Sequence, residues 1–171
     1  TTGGDGAVAL LLEAGNLVLQ SRNFSQIWQS YDHPTDTILP SFKLWANYKA
    51  HTAVRIVAWK GPQDTSTWKF FLSRDPGTGL QILTLRGTSK YWRSGLWNGA
   101  EASDKNGYMW SQNVDDGEII YSTYNTGNSS SRRSHWKLDY TGDLMLRIWS
   151  GQSWVVLFKR PDDGCRHYGS C

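Results

Sequence analysis

Cysteine is almost absent: two residues in 171, Cys165 and Cys171, both in the last seven positions. A small disulfide scaffold is therefore excluded for residues 1–164, which must be held by packing, and the length suffices for that. The sequence has no apolar run of 18 residues, so no segment reads as a membrane span. The opening "TTGGDGAVAL" lacks the basic and long apolar regions of a signal peptide. The net charge is only +3, and Lys and Arg are dispersed apart from "SSSRRSH" at 129–135. That run reads as a solvated loop, and no nucleic-acid partner is expected. Catalytic patterns are also missing: no Gly-x-Ser-x-Gly, no His-Glu-x-x-His, no phosphate loop and no dinucleotide fingerprint. The four His, at 33, 51, 135 and 167, have no metal-ligand spacing. Asp32, His33 and Asp36 crowd together in "YDHPTDT", but Pro34 and the Asp and Thr oxygens read as a turn with local caps rather than acid–base machinery. This segment is read as non-enzymatic, with neither metal nor cofactor.

What the sequence has is aromatic, alternating segments: ten Trp and many runs of period two. "DLMLRIWS" sets Leu144, Leu146 and Ile148 on one face and Met145, Arg147 and Trp149 on the other. "QSWVVLFK" follows after a Ser-Gly-Gln turn, so 143–158 reads as a β-hairpin. "VRIVAWK", "TWKFFLS", "GLQILTL" and "EIIYSTYN" are further strands rich in β-branched and aromatic residues. Gly, Asn, Asp and Pro punctuate them, and no stretch offers a three-turn helix. The fold class is all-β, with about a dozen short strands. "LLLEAGNLVLQS", residues 10–21, reads as two strands around a Glu-Ala-Gly-Asn turn. "LWANYKAHTA" and "WKGPQDTST" read as polar connectors, which places a domain boundary close to Lys60; a second change falls at "KRPDDGC".

Two sequons, at Asn23 ("NFS") and Asn128 ("NSS"), permit N-glycosylation, and the polar run around Asn128 makes it the better acceptor. In "YWRSGLWNG", Tyr91, Trp92, Arg93 and Trp97 are residue types enriched at binding hot spots and form a candidate partner surface. The bland alternative is a strand followed by a Gly-Leu-Trp-Asn-Gly turn that packs Trp97 inward.

The ordered series "LLLEAGNLVLQ", "IWQSYDHPTDTILP", "YWRSGLWNG", "LDYTGDLMLRIWS" and "WVVLFKRPDDGCRHYGSC" closely resembles the ectodomain of plant S-domain, or G-type lectin, receptor-like serine/threonine kinases and the related S-locus glycoproteins. The resemblance covers essentially the whole chain. It implies three pieces: residues 1–60 as the C-terminal part of a bulb-type mannose-lectin β-prism, 61–160 as an S-locus glycoprotein domain, and 161–171 as the start of an EGF-like or PAN-associated segment. Cys165 and Cys171 would then find disulfide partners beyond residue 171, a pairing with each other being the alternative. It further implies an extracellular recognition role of the pollen-recognition or defence type, with a protein, peptide or glycan ligand and receptor self-association. Membrane attachment would come through more C-terminal regions, and ATP and Mg would belong only to a kinase domain outside this segment. The alternative is a secreted lectin-like S-locus glycoprotein without a kinase.

The bulb lectins carry Gln-x-Asp-x-Asn-x-Val-x-Tyr, whose alternate side chains converge on a sugar. Here the positions are Leu12, Ala14, Asn16, Val18 and Gln20. Asn16 and Val18 are retained, Gln20 is a candidate replacement, and the Gln and Asp are gone. A hydrogen bond contributes about 1 kcal/mol net, and a millimolar monosaccharide site totals only about 4 kcal/mol. Carbohydrate binding at residues 10–20 is therefore expected to be degenerate, with Gly15 and Asn16 serving the turn.

Overall fold

The computed structural model describes residues 6–96, 102–103, 110–126 and 133–161, with side chains for all but 102–103 and 110–113. The fold is all-β. The chain separates into two compact units, Thr1–Pro34 and Thr35–Cys171.

The first unit is a three-stranded antiparallel sheet of β1 (Val8–Leu11), β2 (Leu17–Gln20) and β3 (Gln26–Gln29), in that order, followed by a single 3-10 turn at Ser30–Asp32. The β1–β2 turn is closed by backbone bonds from Leu12 N–H to the Asn16 carbonyl (2.9 Å) and from Gly15 N–H to the Leu12 carbonyl (2.8 Å). Gly15 sits at φ +89°, a conformation glycine adopts without the Cβ penalty.

The second unit holds three sheets. β4 (Thr37–Ile38), β5 (Leu44–Asn47), β6 (Thr52–Ala53), β7 (Ile56–Gly61), β8 (Asp64–Arg74), β9 (Ile82–Arg86) and β10 (Ser89–Arg93) come first. β11 (Ala102–Ser103), β12 (Trp110–Asp115), β13 (Ile119–Asn125), β14 (Ser134–Leu138), β15 (Leu144–Trp149) and β16 (Trp154–Arg160) follow. The sheets run β10-β9-β8-β7, β11-β12-β13-β5-β6 and β16-β15-β14-β4. All the pairings are antiparallel.

The unit boundary lies upstream of Lys60 because β4 and β5 pair with β14 and β13, far along the chain. Both supposed polar connectors are strands. In "LWAN", Leu44 and Ala46 are buried while Trp45 and Asn47 are not, so polar composition concealed an alternation. In "WKGPQDTST", a tight turn from Gly61 to Asp64 joins β7 directly to β8.

Ile56, Leu72, Ile120, Leu138 and Leu146 are each at most 1% exposed and form the heart of the second unit. β8 packs on both β5 and β14, so the three sheets share one core. Tyr124 is buried, and its hydroxyl donates to the carbonyls of Ile38 (3.1 Å) and Ser134 (3.3 Å), tying β13 to β4 and β14. Arg74, also buried, donates to the Gly79 carbonyl and to Ser122 Oγ (2.9 Å). Burial pushes its pKa down to about 10, with the Asp115 carboxylate opposing the shift. Gly79 is at φ +70°, and a Cβ there would lie 2.2 Å from Ile120 Cγ2, so this turn admits glycine alone.

Candidate functional site

Asn16 lies at the end of the β1–β2 turn, and its side chain is turned into the first unit, only 7% exposed. Its Nδ2 donates to Gln29 Oε1 (2.9 Å). Its Oδ1 accepts from Ser30 Oγ (3.0 Å) and from the Tyr31 N–H (3.4 Å). Both acceptor positions and one of two donors are therefore used internally. The network continues outward. Leu17 N–H donates to Ser30 Oγ (3.0 Å), Gln29 Nε2 to Asp32 Oδ1 (2.9 Å), and Tyr31 OH to the Ala14 carbonyl (2.9 Å). Partial burial raises the Tyr31 phenol to about 12, which keeps it a neutral donor.

The other motif positions divide. Val18 is 1% exposed, paired with Leu10 on one side and Gln29 on the other. Gln20 ends β2, partly exposed, between Val8 and Gln26. Leu12 is exposed, and Ala14 presents only a methyl group. The two retained residues are thus engaged in closing the sheet, while Leu12, at the motif's Gln position, is exposed and Ala14 and Gln20 are half-buried. Sequence reasoning missed Gln29, Ser30 and Tyr31 as the partners of Asn16. The signal was their place in "IWQSYDHPTDTILP", which supplies the other half of the network.

Asp32, His33 and Asp36 have separate duties. Asp32 accepts from Gln29, and His33 stacks on Trp28 with ring centroids 5.4 Å apart. Asp36 is buried, accepts from Thr37 Oγ1 (2.8 Å) and pairs with Lys137 Nζ at 2.7 Å. Its carboxylate is a buried ion-pair partner rather than the local backbone cap read from sequence. Lys137 also lies over the Trp59 ring, 4.6 Å from its centroid.

Trp92 is buried in the second unit, which removes it from the candidate partner surface; its indole is a core side chain. Tyr91 packs edge-on against Phe70 at 5.0 Å, and Arg93 is exposed. Asn23 stands exposed in the β2–β3 turn, beside Phe24 at φ +60°. Trp97, Asn128, Cys165 and Cys171 lie outside the described residues. Among the described residues no group of three His, Cys, Asp or Glu could hold a metal ion, and no helix is long and apolar enough to cross a membrane.

Comparison with known proteins fits this architecture. Residues 1–60 match the D-mannose binding lectin family, and residues 89–171 match the S-locus glycoprotein domain. The lectin match runs beyond the compact unit that ends at Pro34, into strands that pair within the second unit. Two G-type lectin S-receptor-like serine/threonine-protein kinases of Arabidopsis thaliana are 30% and 31% identical, each over 95% of this chain and 21% of their own length. A receptor-like serine/threonine-protein kinase of the same plant is 33% identical over 99% of this chain and 22% of its own. The chain spans about a fifth of the length of the curated relatives it matches. It carries, in order, a segment that matches the D-mannose binding lectin family and one that matches the S-locus glycoprotein domain, and over nearly its whole length it is similar to G-type lectin S-receptor-like kinases.

Proposed function

We propose that the chain is the extracellular ligand-recognition part of a plant receptor-like serine/threonine kinase, with a silent sugar motif in its lectin segment. The observation that carries the reading is the ordered pair of segments, matched over nearly the whole chain by receptor-like kinases. On this reading the chain supplies binding surface for a glycan, peptide or protein ligand. Ligand-driven association of two receptors then brings kinase domains together on the other side of the membrane. ATP and Mg belong to those domains. The engagement of Asn16 with Gln29, Ser30 and Tyr31 supports the second half of the proposal. A mannose hydroxyl would meet one remaining amide hydrogen, where the intact motif presents four polar side chains.

The test is to express the full-length protein in plant cells with a tag at each end and treat intact cells with protease. The expected result is loss of the N-terminal tag from the plasma-membrane fraction with the C-terminal tag protected. A soluble form in the extracellular fluid would overturn the kinase reading and favour a secreted S-locus glycoprotein.

A further inference from the structure

The outer face of the β14-β15-β16 sheet carries a group of aromatic and cationic side chains. Cross-strand register sets them together. His135 faces Arg147, Arg147 faces Val156, and Trp149 faces Trp154. Leu138, Leu144 and Leu146 are buried, with Leu146 on the opposite face. β16 shifts register opposite Leu146 and Arg147, so Phe158 lies across from Leu146 while Val156 lies across from Arg147. That extra residue turns the Trp154 end of the strand outward, the re-aiming that bulges supply.

The result is an angled aromatic notch. The Trp149 and Trp154 rings meet at 63° with centroids 5.5 Å apart, and His135 closes on Trp154 at 4.2 Å. The two indoles remain 38% and 42% exposed, and Val156 is 45% exposed. Arg147 lies beside the notch, and Arg133 is an exposed residue at the start of β14. Arg147 has its Nε buried without a hydrogen-bond partner, and no carboxylate among the described residues pairs with it. The backbone carbonyl of Arg133, exposed at the start of β14, accepts the Trp149 N–H at 2.9 Å, placing that residue across from Trp149. It too has no ion-pair partner among the described residues. Lys137, further along β14, is already neutralised by Asp36.

We infer that this face is a binding site for an acidic sugar, a uronic acid unit of an oligosaccharide, stacked on Trp149 and Trp154 with its carboxylate held by Arg147 and Arg133. The polarised C–H face of a pyranose packs against an indole ring, and a guanidinium matches a carboxylate in a planar, two-point geometry. Size favours a sugar over a protein partner. A stable protein interface needs about 800 Å² from each side, whereas this patch is a handful of side chains spanning one or two sugar rings. The inference is independent of the receptor reading, since it concerns only what this chain binds.

The test is titration of the full chain at pH 7 with trigalacturonic acid, followed by tryptophan fluorescence and by ¹H–¹⁵N spectra. The controls are the methyl-esterified trisaccharide and short polyglutamate. Saturable binding of the acid is expected, with shifts centred on 133–135 and 147–156. Trp154→Ala should weaken it at least tenfold, and Arg147→Gln should erase the preference for acid over ester while leaving the spectrum folded. No saturable change with trigalacturonic acid, or equal binding of polyglutamate, would overturn the inference. So would full binding by both variants. Either failure leaves the protease-accessibility result for the full-length protein untouched.

Discussion

The two units are built on different principles. In Thr35–Cys171 the interior is apolar: Ile56, Leu72, Ile120, Leu138 and Leu146 stack between three sheets. In Thr1–Pro34, Val18 is the one buried apolar side chain among the described residues, while Val8, Leu10, Leu11, Leu17 and Ile27 are exposed. What closes the first unit is the hydrogen-bond network around Asn16. The same retained asparagine that suggests a sugar site is there a structural part.

The largest effect should come from the apolar core. Leu72→Ala removes a fully buried side chain and should cost the second unit about 4 kcal/mol, measured by urea unfolding. Gly79→Ala forces a Cβ against Ile120 at positive φ and should cost about 3 kcal/mol in the same assay. Neither should alter amide exchange in residues 8–29. Asn16→Ala leaves Gln29 and Ser30 without their partner and should cost about 2 kcal/mol. That loss should appear as faster exchange at β1–β3 alone. Equal loss across both units would break the comparison.

A further effect is in pH. Burial, then repulsion from Arg147 and Lys137, pushes the His135 pKa down to about 4 from 6.5, against a weaker pull from Asp36. The unfolded chain therefore binds a proton that the folded chain refuses between these values. His135 should lower stability as pH falls from 6.5 to about 4 and add nothing further below that. His135→Phe should remove this part of the slope, read from urea midpoints at successive pH values.

Much of the fold could be read from alternation. The β15–β16 hairpin and the inward face of Leu144 and Leu146 follow from period two, as does β13. Alternation failed where polar residues fill the outward positions, as in β5 and the start of β8, and it did not say that Met145, opposite Leu144 and Leu146, is buried as well. The register shift in β16 has no local signal, so the outward Trp154 and its neighbours could not be assembled from sequence. Nor could Arg74, a buried cation whose partners Gly79 and Ser122 are 5 and 48 residues away. At the lectin motif, the loss of Gln and Asp was visible directly. The use of Asn16 was not, because its partners come from the other side of β2.

The central claim is that the residues 10–20 motif holds the fold and not a sugar. It is tested most directly by a ¹H–¹⁵N titration of the chain with mannose and an oligomannose glycan. The account predicts no saturable shift at the amides of residues 10–32 up to millimolar sugar. Saturable shifts centred on Asn16, Val18 and Gln20 would contradict it and show a live mannose site.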